Sequence, residues 1–413
     1  MTTLRVCIAF LFGIAFSTVC VSQEAEALNS LRSIRGAVII EKDGRPSSID
    51  LRDCEGNLTS AVGAVVQLQS VTSVSLGGPL ITSNHVHLVC ALQGLKTLRI
   101  DKSKLETTAC NIIQDSTTIE ELVLDHCDIA GESMDVLAQS KSIKRLRIPG
   151  TKLSSASLMR LGAMTQLELL DLMDCYADLD VLKQIGGLTK LRSLTISGAG
   201  VTDSGMQYLG TLTNLTSVAI RNSAVTDAGY GSLSKLAKLK ELDLFQTPSG
   251  DGALAELVNA KELTKLKLRG SGVTSEGLRM HMPSLKNVTM VDLGESKVDD
   301  AALQVLGGCK SISDINLLRA NVTDPGIAFL ADLPLKRLNL DDVDGVSDAT
   351  LPLLLQMKSL EFLHLGKTKV TDAGIGLLAK LPNLKDLLLN DTSVSDQAIQ
   401  SLKTQLPTLK VKR

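Results

Sequence analysis

The chain writes one pentad over and over. VTDAG stands at 225–229 and again at 370–374, with VTDSG at 201–205, VTSEG at 273–277, VTDPG at 322–326, VSDAT at 346–350 and VSDQA at 394–398. Each pentad follows a hexad of the form L-x-x-L-x-L, in which Ile and Val stand in for Leu. The hexads run from VTSVSL at Val71 and LKTLRI at Leu95 through LKELDL at Leu239 to LKDLLL at Leu384. Fourteen such starts keep a spacing of 24 residues, apart from a 25, 24, 23, 25, 24 stretch after Leu263. A register held that long is the mark of a stacked array of modules rather than of one globular core.

The letters of one module dictate its local structure. The fourth and sixth positions of the hexad are apolar and their neighbours polar, the period-2 pattern of a half-buried strand. A turn follows, then an apolar residue and Thr-Asp, where a side-chain oxygen can cap a helix and an acid suits its positive end. Pro325, directly after Asp324, fits a first helical turn, where its missing N–H costs nothing. Ile375, Leu378 and Leu381 recur three apart and give a short helix one inward face. One module cannot bury that face alone, so stability has to come from its neighbours. The expected fold is an α/β solenoid, with parallel strands about 4.8 Å apart on one side and short helices on the other.

Composition narrows the partners. Hydrophobic residues make up 44% of the chain but aromatics only 2%, and 43 basic residues nearly cancel 45 acidic ones. That balance lacks the electrostatic footprint and stacking platforms of a nucleic-acid binder. At the N-terminus Arg5 precedes an apolar run from Val6 to Val21, followed by QEAE, which reads as an export signal over residues 1–22. Cleavage after Ser22 or within Ala25–Ala27, an uncleaved anchor, and lipid attachment at Cys20 are the options, the last without the residues expected before a lipidated Cys. The run is shorter than the roughly 20 residues of a spanning helix, and no later segment is long and apolar enough to span. Residues 23–70 are expected to cap the array, and 71–413 to form the repeat domain.

These residues resemble leucine-rich-repeat proteins. The L-x-L-x-x-C…VTDxG form is similar to the cysteine-containing, ribonuclease-inhibitor-like subgroup and to exported bacterial proteins built from VTDAG-type modules. The resemblance covers about 46–413. It implies a horseshoe-like solenoid with strands on a concave face and helices on a convex one, a leading strand pair within 36–54, and a non-catalytic scaffold that binds a protein or cell-surface ligand through its sheet. The same repeat style permits an alternative, an intracellular F-box-like substrate-recognition subunit of a ubiquitin ligase. Two departures stand out: the Cys position mostly holds Ser, Thr or Ala, and no F-box-like segment precedes the repeats.

Other motifs read as structure. Cys54, Cys127 and Cys175 share the column otherwise filled by residues such as Ser103 and Thr151, which marks them as buried thiols. Cys90 and Cys110 lie in the helical halves of adjacent modules, and whether they pair is left open. Cys309 falls near a helix end. His85, His87 and Cys90 are close in sequence, yet the repeat places them on different sides, so no metal is expected. The Asp column, from Asp203 through Asp227, Asp251, Asp300 and Asp324 to Asp396, is assigned to helix capping rather than to a cation ladder. HExxH, CxxC, G-x-S-x-G and Walker patterns are missing, so neither an enzyme nor a cofactor is expected. Asn57, Asn214, Asn287, Asn321 and Asn390 head N-x-S/T triplets, which carry glycans only in a host that adds them.

Function should then reside in the third and fifth hexad letters, which carry no packing duty. They form alternating blocks: Arg145 and Arg147; Glu241 and Asp243; Lys265 and Lys267; Asp292; Arg337; Phe362 and His364; with Phe245 just past its strand. A mosaic of this kind suits a specific protein partner better than a polyanion, and the 241–364 half is the expected docking surface. The alternative is a solvated face with no ligand.

Overall fold

A computed structural model describes residues 22–413. The expected signal segment, with Cys7 and Cys20, lies outside the described residues except for Ser22. Contacts divide the chain into an N-terminal unit ending at Tyr176 and a C-terminal unit starting at Ala177.

In the N-terminal unit a helix over 22–33 buries Ala27 and Leu31, and its Glu24 accepts from the Gln69 N–H at 3.1 Å. Strand Val38–Lys42 then pairs antiparallel with Arg45–Leu51, the leading strand pair that the resemblance implies. Arg45–Leu51 also pairs parallel with Ser73–Gly77. The parallel sheet therefore begins within the segment expected to be a cap. From there Thr97–Asp101, Glu121–Asp125, Arg145–Arg147 and Leu169–Leu172 follow in register.

The C-terminal unit repeats the pattern from Ser193–Ser197 to Lys410–Lys412, every neighbouring pair parallel. Register aligns Leu242, Leu266, Val291, Ile315, Leu338, Leu363 and Leu387 across seven strands, and all seven are fully buried. The third and fifth letters point to the other face. Helical halves are shorter than the sequence spacing suggests: Asp372–Ile375 is one α-turn, continued by a 3-10 stretch at Gly376–Lys380, and Asp227–Lys235 is 3-10 throughout. A 3-10 turn covers more length per residue, which returns the chain to the sheet within 24 residues.

The turn after each strand is left-handed at its second residue. Gly fills that position at Gly150 and Gly270, but His126, Gln246, Glu295 and Arg319 adopt it too, with φ between 51° and 55°. A side chain there is disfavoured. Here the conformation is held from outside, because the N–H of each turn donates to a carbonyl of the next turn: His126 to Pro149 at 2.8 Å, Gln246 to Arg269 at 2.9 Å and Glu295 to Leu318 at 2.7 Å.

The VTDxG corner differs from expectation in one respect. Capping falls to the Thr: Thr274 accepts from Gly277 N–H and Thr371 from Ala373 N–H, both at 3.2 Å. The Asp is already the first helical residue, and its carboxylate leans out to the next module. Asp251 accepts from the Thr274 N–H at 2.9 Å and hydroxyl at 2.7 Å. Asp203 does the same to Thr226, Asp300 to Thr323 and Asp348 to Thr371. The Asp column is thus a row of inter-module clasps. Asp299, which stands in the Thr position of its corner, caps its helix as the Thr residues do, accepting from Ala301 N–H at 3.0 Å.

The cysteine column is a hydrogen-bonding column. Cys127 Sγ lies 3.2 Å from Ile100 O and Cys175 Sγ 2.8 Å from Ile148 O, the same job that Thr151 Oγ1 does on Leu124 O. All six described cysteines are free, Cys90 and Cys110 included.

Candidate functional site: the strand face

The third and fifth letters stand where the sequence placed them, but most of their charges are spent on one another. Cross-strand neighbours lie close enough for opposite charges to pair. In the N-terminal unit, Glu121 receives Arg145 at 3.0 Å and Arg147 at 3.3 Å, and Arg147 also reaches Asp171 at 3.6 Å. Arg99 bridges Asp101 at 2.7 Å and Asp125 at 2.6 Å, while Arg52 bridges Asp50 and Asp101. Burial pushes the Asp50 carboxyl up, but the Arg52 hydrogen bonds overcome it and hold the group below its ordinary value. Arg145 and Arg147 are therefore ion-pair partners rather than free cations.

In the C-terminal unit, Asp243 is nearly buried and takes Arg221 Nη2 at 2.5 Å and the Phe245 N–H at 3.1 Å. Lys267 bonds Glu241, and Lys265 stays 3.8 Å from the same carboxylate. Burial raises the Glu241 carboxyl, yet Lys267, Lys265 and Arg221 outweigh it and leave the group lowered. Glu295, on the adjoining turn, joins Arg269 and Arg319 at 3.1 Å each, and Arg319 continues to Asp342 at 2.6 Å. Arg319, Asn321, Thr323, Asp342 and Asp344 line a hollow of about 360 Å³ beside the turns, with the Arg319–Asp342 pair already closed across it.

One stretch of the face is different. Asp292 is held by the Gly294 N–H at 3.1 Å and by the Asn316 side chain, and burial pushes its carboxyl above the ordinary value, with Asp243 adding to the rise. Its neighbour Asp314 is likewise pushed up by burial and by Asp292. Asp314 has Arg337 at 3.4 Å, but that guanidinium lies over the Phe362 ring, 4.0 Å from its centre. On the other flank Arg269 sits 5.5 Å from the centre of Phe245. Half-buried carboxyls thus lie between two Arg-on-Phe stacks, with Met290 and Leu318 half-buried among them. His364 is set by Asn390 at 2.8 Å and stands 3.6 Å from Asp341.

The structure therefore brings Glu241, Asp243, Phe245, Lys265, Lys267, Asp292, Arg337, Phe362 and His364 onto one face, and puts Arg145 and Arg147 on the strand face of the other unit. Sequence reasoning missed Glu295, Asp341 and Asn390, which follow their strands by two or three residues. A column drawn just past the sixth letter would have found them.

The metal reading of His85 is answered by its contacts. Its Nδ1 accepts from the Thr82 N–H at 3.2 Å and its Nε2 meets Thr59 Oγ1 at 2.8 Å, so the ring ties two helices together.

Parallel strands on one side, short helices on the other and a repeated L-x-x-L-x-L define a leucine-rich-repeat solenoid. Comparison with known proteins agrees: residues 115–138 and 187–210 match the family described as Leucine Rich repeat. Three solved structures share the fold. An internalin, InlF, from Listeria monocytogenes is 15% identical, with 86% of this chain and 93% of that one aligned at a TM-score of 0.51. The Leptospira interrogans LRR protein LIC12759 is 16% identical over 87% and 99% at 0.51. The Arabidopsis receptor kinase HAESA ectodomain, solved with a peptide hormone ligand, is 16% identical over 94% and 70% at 0.53. No curated protein sequence matches the chain.

Proposed function

We propose that this chain is an exported, non-catalytic scaffold that binds a protein ligand through the strand face of residues 241–364. The observation that carries the reading is the Asp292–Asp314 stretch, where carboxyls stay half-buried between Arg269 on Phe245 and Arg337 on Phe362 while the charges around them are paired. Aromatic and Arg side chains are the residues that carry binding energy at interfaces, and here they are pre-positioned. The HAESA structure, with its peptide hormone ligand, shows that this kind of fold can hold a polypeptide. Export rests on the N-terminal sequence and predicts a mature protein lacking residues 1–22, which N-terminal sequencing of the exported fraction checks.

The test of the site is a capture experiment from that fraction with wild-type protein and with Asp292→Asn and Phe362→Ala. Both variants are expected to keep their unfolding midpoints within a small margin and to lose the captured partner. Equal recovery by all three removes this face as the site.

A further inference from the structure

Two departures from the repeat pattern meet each other. Tyr230 occupies the helix column that Met206, Leu254 and Leu278 fill in nearby modules, and it is fully buried. Ser249, in the next module, stands where Val225 and Val273 stand in theirs, and is buried as well. Tyr230 faces Ser249 and Thr247, although its O–H closes no hydrogen bond to either.

Hydroxyl bookkeeping gives the arrangement a direction. Thr247 Oγ1 donates to Leu244 O at 2.9 Å, so in its 2.5 Å contact with Ser249 Oγ it must accept. Ser249 has then used its proton and has lone pairs to offer. The donor still unspent beside it is the Tyr230 O–H.

An array of near-identical modules has a characteristic competing state. VTDAG at 225–229 is letter for letter VTDAG at 370–374, so a wrong module, of this chain or of a second copy, presents almost the same apolar surface. Mis-stacking and exchange between copies are the failure modes of repeat proteins. We propose that Tyr230, Ser249 and Thr247 form a pairing key that makes the module starting at Leu239 accept the module starting at Leu215 and reject the others. The other modules offer Val, Ile, Leu or Ala in place of Ser249, and each of these sets hydrocarbon against the phenol oxygen at that position, a costly burial for a hydroxyl. Buried polar groups are best attested in this use, fixing register rather than adding stability.

Refolding of the full chain tests the key. Tyr230→Phe with Ser249→Ala removes two oxygens and adds no volume, so its unfolding midpoint should match or exceed that of wild type. After refolding at micromolar concentration it should nevertheless give at least threefold more oligomer by size exclusion. Ser249→Ala alone, which sets a methyl in place of the hydroxyl beside the phenol oxygen, should lower the midpoint. Leu254→Ala serves as a control for simple destabilisation and should raise oligomer less than the double variant. An unchanged oligomer fraction in the double variant overturns the proposal. So does a rise no larger than that of Leu254→Ala, or a fall in the double variant's midpoint.

Discussion

The carboxylate of Asp251 occupies the space where a side chain on Gly277 would begin, with Oδ1 1.9 Å from that Cβ position. The same holds for Asp300 and Gly326, at 2.0 Å. Asp and Gly of VTDxG therefore depend on each other across modules: the Asp of one grips the corner of the next, and the Gly of the next leaves it room. Where Thr350 replaces the Gly, its hydroxyl bonds Asp324 instead.

Gly277→Ala should accordingly cost about 2–4 kcal/mol, from overpacking plus loss of charge-assisted hydrogen bonds. Asp251→Ala should be costly alone but should relieve much of the Gly277→Ala penalty. A double-mutant cycle by chemical denaturation measures this, and strictly additive losses would contradict the clasp.

The thiols should be inert in the folded chain. Burial pushes Cys90 and Cys175 up to about 12 and Cys110 and Cys127 up to about 11, and the thiolate is the reactive form. At pH 8 a chromogenic disulfide reagent should leave Cys110, Cys127 and Cys175 unmodified until denaturant is added. Reductant should leave the unfolding midpoint where it was. Rapid labelling of these three in the native protein would count against the packing described.

His85 should make stability depend on pH. Burial lowers its folded pKa, and Nδ1 must stay unprotonated to accept from Thr82. The unfolded chain therefore takes up the proton first as pH falls through about 6.5. The His85 contribution is complete above that value and is lost between it and the lower folded pKa. Denaturation midpoints should drop from pH 7.5 to pH 5.5, and drop less in His85→Gln. Parallel pH profiles for the two proteins would refute the assignment.

Asp243 should be the least replaceable acid on the strand face. Asp243→Asn weakens its grip on Arg221 and should cost about 1–2 kcal/mol, less than the roughly 3–5 kcal/mol of a fully buried pair because Arg221 can reach water. Thermal denaturation at low and high salt checks this. A variant as stable as wild type would show the pair to be ornamental.

Much of this was legible in the letters because it repeats within one module. The strand residues Leu242 and Leu266, the turn and the corner all follow from local pattern. What could not be read were partners a module apart: that Asp251 serves Thr274, and that Glu121 absorbs both Arg145 and Arg147. Residues 23 to 26 apart touch only once stacking is fixed. The charge blocks were visible, but their mutual neutralisation was not, since it depends on where each flexible side chain leans.

Side-chain footprinting with hydroxyl radicals, on protein holding a captured partner, tests the binding surface most directly. Bound partner should protect Phe245, Met290 and Phe362 on the strand face and leave Met280 and Phe329, exposed on the helix side, as reactive as in the free chain. Protection of Met280 and Phe329 with Phe245, Met290 and Phe362 unchanged would place the partner on the opposite face and contradict the account.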